Sequence, residues 1–158
     1  MAGGRGNWVV TTGATALVAA TAKTAFELTT PAGTGNQWYQ LDLAFDGVSS
    51  TAIPVKVEII TYTTTGTGTA ITFAAAHRAT PACQAAATDP LTTAKVNLTV
   101  EGTGSITVVS GTYIHPQAGV TYQYPLGREF GQNKSLIYGL RLTAPAIVNY
   151  LANIYFEE

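Results

Sequence analysis

The side chains able to do acid–base, nucleophilic or metal chemistry are few and scattered. The two histidines, His77 and His115, lie far apart in segments of turn composition. Neither belongs to an HxH, HExxH or His/Asp spacing, the arrangements that set several metal ligands on one element. No metal site is expected, and His115, which precedes Pro116, reads as a turn brace. Glycoside hydrolysis needs two carboxylates flanking the scissile bond. The candidates are Asp42, Asp46, Glu58, Asp89, Glu101 and Glu129. Asp42 and Glu58 fall on the polar faces of neighbouring expected strands with Lys56 at hand, which reads as a cross-strand ion pair. Ser105 and Ser110 lie in no GxSxG elbow, and the Thr-Gly run at 61–69 is followed by neither a lysine nor a helix, so it is no phosphate cradle. Cys83 stands alone, without a disulfide partner or a catalytic-thiol motif. The expectation is a protein that is not an enzyme and carries no cofactor.

What positions so little chemistry is a chain built for strands. Its 158 residues include 26 threonines and 16 glycines. Threonine is β-branched and suits a pleated surface, and glycine supplies tight turns. The length suits one domain that buries roughly 70% of its unfolded surface. Only 11% of residues are charged, against about 25% in an ordinary soluble domain, and the formal net charge is -1. With no Lys/Arg cluster, nucleic acid is not an expected partner. With no long uninterrupted apolar run, neither is a membrane. Two readings of the thin charge stand side by side: a surface solvated by hydroxyls and amides, or one covered by copies of itself or by a larger assembly.

Period-two alternation marks the strands. It is clearest in Leu136–Phe156, where Leu136, Tyr138, Leu140 and Leu142 share one face and Val148, Tyr150, Ala152, Ile154 and Phe156 share another. The two runs read as a closing hairpin of core strands turned at Pro145. Earlier, Trp38–Phe45 places Tyr39, Leu41, Leu43 and Phe45 together, and Ile53–Tyr62 places Val55, Val57 and Ile59 together. Further strands are expected near 23–29, 70–73, 94–100, 105–114 and 120–124, with Gly111 as a bulge. Ala14–Ala22 has helical propensity interrupted by Thr15 and Thr21. Residues 74–93 lack periodicity and are bounded by Pro81 and Pro90, a long connection expected to run over the sandwich edge or pack on a partner. The fold class is all-β: an antiparallel β-sandwich, jelly-roll-like, of about 8–10 strands. Residues 1–20 form an N-terminal arm and residues 21–158 the sandwich.

Trp8, Val9 and Val10 follow the Gly-rich start, and a large aromatic there needs burial. It has two destinations, the chain's own core or a neighbouring subunit. Trp38, Tyr39, Tyr62, Tyr113, Tyr122 and Tyr124 allow a sugar-stacking platform, with a core or interface role as the simpler account.

The phrases TAKTAFELTTPAG (Thr21–Gly33), LAFDGVSSTAIPVKVEIITYTTTGT (Leu43–Thr67), IHPQAGVTYQYPLGREF (Ile114–Phe130) and LRLTAPAIVNYLANIYFEE (Leu140–Glu158) resemble a group of small structural proteins of tailed bacteriophages. That group is similar in size and all-β character to capsid decoration, or cement, proteins. The resemblance implies a virion protein on the outer capsid surface, associating with itself as a homotrimer and bridging neighbouring major capsid proteins. In that role the expected partner contacts are Trp8, Val9 and Val10 in the arm, His77 and Arg78 in the long connection, and Arg128 in the PLGRE loop. A tail, neck or fibre-base protein, or a lectin-like carbohydrate module, are the alternatives.

Overall fold

A computed structural model describes residues 6–49, 51–74, 90–133 and 135–158. These residues form twelve strands and no helix, against the eight to ten strands expected. In chain order they are β1 (Asn7–Thr11), β2 (Thr15–Leu17), β3 (Ala22–Thr29), β4 (Asn36–Phe45), β5 (Val55–Tyr62) and β6 (Thr67–Ile71). There follow β7 (Thr93–Val100), β8 (Thr107–Ile114), β9 (Val120–Gln123), β10 (Phe130–Gln132), β11 (Ile137–Thr143) and β12 (Val148–Glu157). The first sheet runs β1-β12-β4-β10, with β2 also beside β12 and β9 beside β4; the second runs β6-β7-β3-β11-β5-β8. Every pairing is antiparallel. The chain alternates between sheets through β1/β2, β3, β4 and β5, then returns through β8, β9/β10, β11 and β12 beside them. That nesting is the jelly roll, and the hairpin β6–β7 is an insertion that widens the second sheet next to β3.

The alternation of β12 holds over its full length: Val148, Tyr150, Ala152, Ile154 and Phe156 are all buried in the main core. In β11, Tyr138, Leu140 and Leu142 join them from the opposite sheet. The two strands do not pair with each other, so the turn at Pro145 is an arch between sheets and not a hairpin. A period of two tells which side chains share a face but not which strand lies alongside.

Tyr39 departs from its expected face. Opposite β4, the register slips between Tyr155 and Phe156, which pair with Gln40 and Trp38. Tyr39 is therefore the extra residue of a bulge, and the parity resets: Trp38 is buried along with Leu41 and Leu43, while Tyr39 stacks on Tyr155 at 6.0 Å between ring centroids. In β8 the extra residue is Val109, skipped between Ser110 opposite Ile59 and Val108 opposite Ile60, and not Gly111. The alanine-rich stretch 14–22 supplies β2 and the start of β3, because pairing with β12 overrides a weak helical preference.

Residues 7–11 and 15–17 of the amino-terminal segment are strands of the first sheet, and β1 pairs with β12 from Asn7↔Glu157 to Thr11↔Asn153. Of its two destinations, Trp8 takes the chain's own core, at 1% exposure, edge-on to Phe73 with centroids 5.6 Å apart. Truncating a buried aromatic to alanine costs roughly 3–5 kcal/mol. Trp8→Ala is expected to lose that much in urea unfolding, and removal of residues 1–20 to abolish cooperative unfolding by exposing the β12 edge. A shortened chain that unfolds at the wild-type midpoint would rule out this structural role for the segment.

Candidate interaction surface

Strand register decides which links share an end of the sandwich. Leu17 pairs with Val148, Tyr150 with Phe45, Leu43 with Val120, Val55 with Ile114, and Thr143 with both Ala22 and Lys56. The links 18–21, 46–54, 115–119 and 144–147 therefore all leave from one end. Backbone bonds tie them in pairs: Ala20 N–H donates to the Ala144 carbonyl at 2.8 Å and Gly47 N–H to the Pro116 carbonyl at 2.9 Å. Gln117 Nε2 donates to the Val48 carbonyl at 2.7 Å. His115 acts as the turn brace, its Nδ1 accepting the Gln117 N–H at 3.2 Å.

On this braced end Val18, Val48, Ile53 and Ile147, from three of the four links, stand 62–91% exposed. The one carboxylate in these links is Asp46. Asn149 donates to it from both its side chain, at 2.6 Å, and its backbone, at 2.8 Å, and these bonds hold the carboxyl below its ordinary range. The links contain no lysine or arginine. The end is thus uncharged apart from a satisfied carboxylate, and its aliphatic groups point at water.

A second apolar feature lies on the side where β8 and β9 border the two sheets. Between them opens a cleft of about 540 Å³, floored by Leu41, Leu43, Val57 and Ile59 and rimmed by Tyr113 and Tyr122. Burial, with Tyr122 adding to it, pushes the Tyr124 phenol up to about 12. Tyr113, Tyr122 and Tyr124 are the part of the expected aromatic set that reaches this cleft; Trp38 and Tyr62 are buried in the cores.

Glu27, Glu58 and Glu101 form a polar layer on the outer face of the second sheet. Asp42 lies in β4 and Glu58 in β5, so they belong to different sheets and the expected cross-strand pairing does not form. Glu58 instead meets Lys56 at 2.7 Å along its own strand and Arg141 at 3.0 Å on the neighbouring one. Arg141 also reaches Glu101 at 3.5 Å, and Glu101 accepts the Thr24 hydroxyl at 2.9 Å. Deeper in, Glu27 accepts the Tyr62 hydroxyl at 2.6 Å and the Gly66 N–H at 2.9 Å, with Lys95 at 3.2 Å. Each of these carboxylates has a cation or donor fixed against it, as a carboxylate withdrawn from water requires. Among the described residues no three His, Cys, Asp or Glu side chains come together as a metal site, and no helix is long and apolar enough to cross a membrane.

Of the residues expected to contact partners, Trp8 and Val10 are buried in the core and Val9 is half-buried on the opposite face. Arg128 is exposed at the foot of a turn closed by its own N–H on the Pro125 carbonyl at 2.9 Å. His77 and Arg78, with most of the 74–93 connection, lie outside the described residues. The sequence reading missed Val18, Val48, Ile53 and Ile147. Val48 and Ile147 carry a signal, as aliphatic residues in turn-forming stretches, whereas Ile53 falls in phase with the expected strand Ile53–Tyr62 and Val18 within the stretch 14–22 of helical propensity. No protein-family model, curated protein or solved structure matches the chain.

Burial pushes the Glu58 carboxyl up, but Lys56 and Arg141 outweigh it and its value lies below the ordinary 4.5. A carboxyl depressed on folding contributes stability that is full above its unfolded value and lost as pH falls through the folded one. Glu58→Gln is expected to lower the unfolding midpoint at neutral pH and to flatten its decline below pH 4.5. Parallel acid limbs in the two proteins would assign the decline to other groups.

Proposed function

We propose that this chain is a structural protein of a tailed-bacteriophage virion, seated on the outer capsid surface and stabilising the shell by bridging neighbouring major capsid proteins, with self-association as a homotrimer. The observation that carries this reading is the loop end, where Val18, Val48, Ile53 and Ile147 stand exposed on links locked by hydrogen bonds. Exposed apolar groups on a rigid, uncharged surface favour burial against another protein. Each aliphatic side chain contributes roughly 1.5–3 kcal/mol when fully buried. One such end binds weakly. Several ends held in one oligomer bind through effective concentration, which raises avidity by about 10²–10⁴ without new contacts. A subunit bridges two capsid proteins only if its end spans their boundary, and exposed aliphatic residues on three separate links give it that breadth.

The resemblance in phrases such as LRLTAPAIVNY supports the same class, as does a surface with few charges. A neck, tail or fibre-base position would use the same kind of surface and differ only in its place in the particle. Electron cryomicroscopy of purified particles reads that place, the copy number and the symmetry directly. In cosedimentation with undecorated shells, Val48→Lys combined with Ile147→Lys is expected to weaken binding at least about tenfold, since two buried aliphatic contacts become two desolvated charges, while the thermal midpoint stays within a few degrees. Binding equal to wild type would remove the loop end from the interface.

A further inference from the structure

The second sheet ends in two uncharged strands that have no neighbour on their outer side among the described residues, β6 and β8. Each presents a row of backbone N–H and C=O groups, the template for adding another strand. Folded proteins blunt such edges with lysine, proline, inward charge or a bulge; β6 (TGTAI) and β8 (TVVSGTYI) have no lysine, proline or charge, and β8 has only the bulge at Val109. The charge-free run is longer still, from Gly102 to Gly127 without an Asp, Glu, Lys or Arg. Along β8 all residues but Ile114 are exposed, and β6 is exposed at Thr67, Thr69 and Ala70.

We infer that β8 of one copy pairs antiparallel with β6 of the next, so that the second sheet runs on from copy to copy. The inference rests on the reading of the chain as a self-associating assembly protein and names the surface that reading requires. Three features point to this occupant. The first is direction. Six alternating antiparallel strands leave the two edges running oppositely, so a copy rotated about an axis along the strands brings β6 up antiparallel to β8. Such a rotation keeps every loop end, with its exposed aliphatic residues, facing the same way. A two-fold contact of β8 with β8 would turn one end away from any common surface.

The second feature is height. One rung crosses the whole sheet through successive partners: Thr69–Val96, Val96–Phe26, Phe26–Leu140, Leu140–Ile59 and Ile59–Ser110. Ser110 and Thr69 thus sit level, on the same core-facing side. Continuing the rung into the next copy places Ser110 opposite Thr69 and Thr112 opposite Thr67. Facing hydroxyls of this kind are favourable cross-strand pairs. The third feature is charge: with no ionised group on either edge, no like pair meets and none is desolvated. The contact is head-to-tail, which closes into a ring when the rotation from copy to copy divides a full turn, and a ring of three agrees with the expected homotrimer.

The experiment is sedimentation velocity on the full chain over a concentration series, with circular dichroism as the control for folding. Wild type is expected to associate into a closed oligomer. Ser110→Lys alone and Thr69→Glu alone are each expected to shift it to monomer at least about tenfold in dissociation constant, because each leaves one charge in the contact. The double variant, which places Lys opposite Glu at every contact, is expected to reassociate. A wild type that stays monomeric, or a double variant no better than the singles, overturns the pairing. So does restored association when Ser110→Lys copies are mixed with Ser110→Glu copies, which would mark a β8–β8 contact. Shell cosedimentation of the same proteins separates the two readings: a wild type that is monomeric yet binds shells overturns the strand pairing and leaves the capsid role standing.

Discussion

The strand on which the rest depends is β12. It lies inside the first sheet, between β1 and β2 on one side and β4 on the other, and five alternate side chains from Val148 to Phe156 are buried in the main core. At roughly 1.5–3 kcal/mol for each large apolar side chain, that stripe is worth as much as the net stability of a whole domain. Its predecessor β11 holds the equivalent interior place in the facing sheet, between β3 and β5. Two interior strands, consecutive in the chain and joined by a short arch, thus clamp the sheets together. The outer strands then have only to add to edges already fixed in register.

That clamp leaves the outer face of the second sheet to a different kind of stabilisation. The β6–β7 insertion attaches beyond β3, at the far side from β5 and β8, so the chain must cross the sheet twice. The crossings meet where Thr64 and Thr103 exchange backbone bonds at 3.0 Å. They bury Ile60, Tyr62 and Ile137 as a small second core, and Glu27 with it at 1% exposure. A β-carbon on Gly102 would lie 2.1 Å from the Tyr62 ring and one on Gly104 1.9 Å from the Thr63 hydroxyl, which is why glycine occupies both. Burial in turn obliges Glu27 to hold Tyr62, Gly66 and Lys95, since an unpaired carboxylate there would be strongly destabilising. The pairing of Glu27 is thus a consequence of topology.

Much of this was legible from the sequence because burial on one face imposes a period of two. The inward faces of β5, β11 and β12 were read correctly residue by residue, and with them the all-β sandwich. Three kinds of feature were not legible. Pairing partners are set by packing between distant segments, so the arch at Pro145 looks like a hairpin turn. Bulges reset parity at one residue, so Tyr39 was assigned inward although Trp38 takes that place. And the period does not distinguish a strand buried on one face from one exposed on both. β8 has the composition of an interior strand yet stands at the edge. The exposed aliphatic residues of the loop end are hidden for a related reason: Trp8 has the type of an anchor but is claimed by the core, while Val48 and Ile147 carry no periodic pattern that sets them apart.

The thinness of charge is also unevenly distributed, and the distribution says more than the total. Arg141, Lys56 and Lys95 are held by Glu58, Glu101 and Glu27 on one face of one sheet. The loop end keeps only Asp46, satisfied by Asn149, and the stretch from Gly102 to Gly127, which contains β8 and β9, keeps none. A surface merely solvated by hydroxyls would need no such segregation, because threonine and charged residues can share a face freely. Where a partner must be accommodated, each charge left in the contact costs its desolvation, and hydroxyls that can pair across the junction do not. The threonines and serines of β6 and β8 fit that requirement: they remain hydrated in a lone copy and can exchange water for each other when an edge is covered. The same composition that reads as ordinary strand propensity therefore also leaves both edges of this sheet hydroxylated and free of charge.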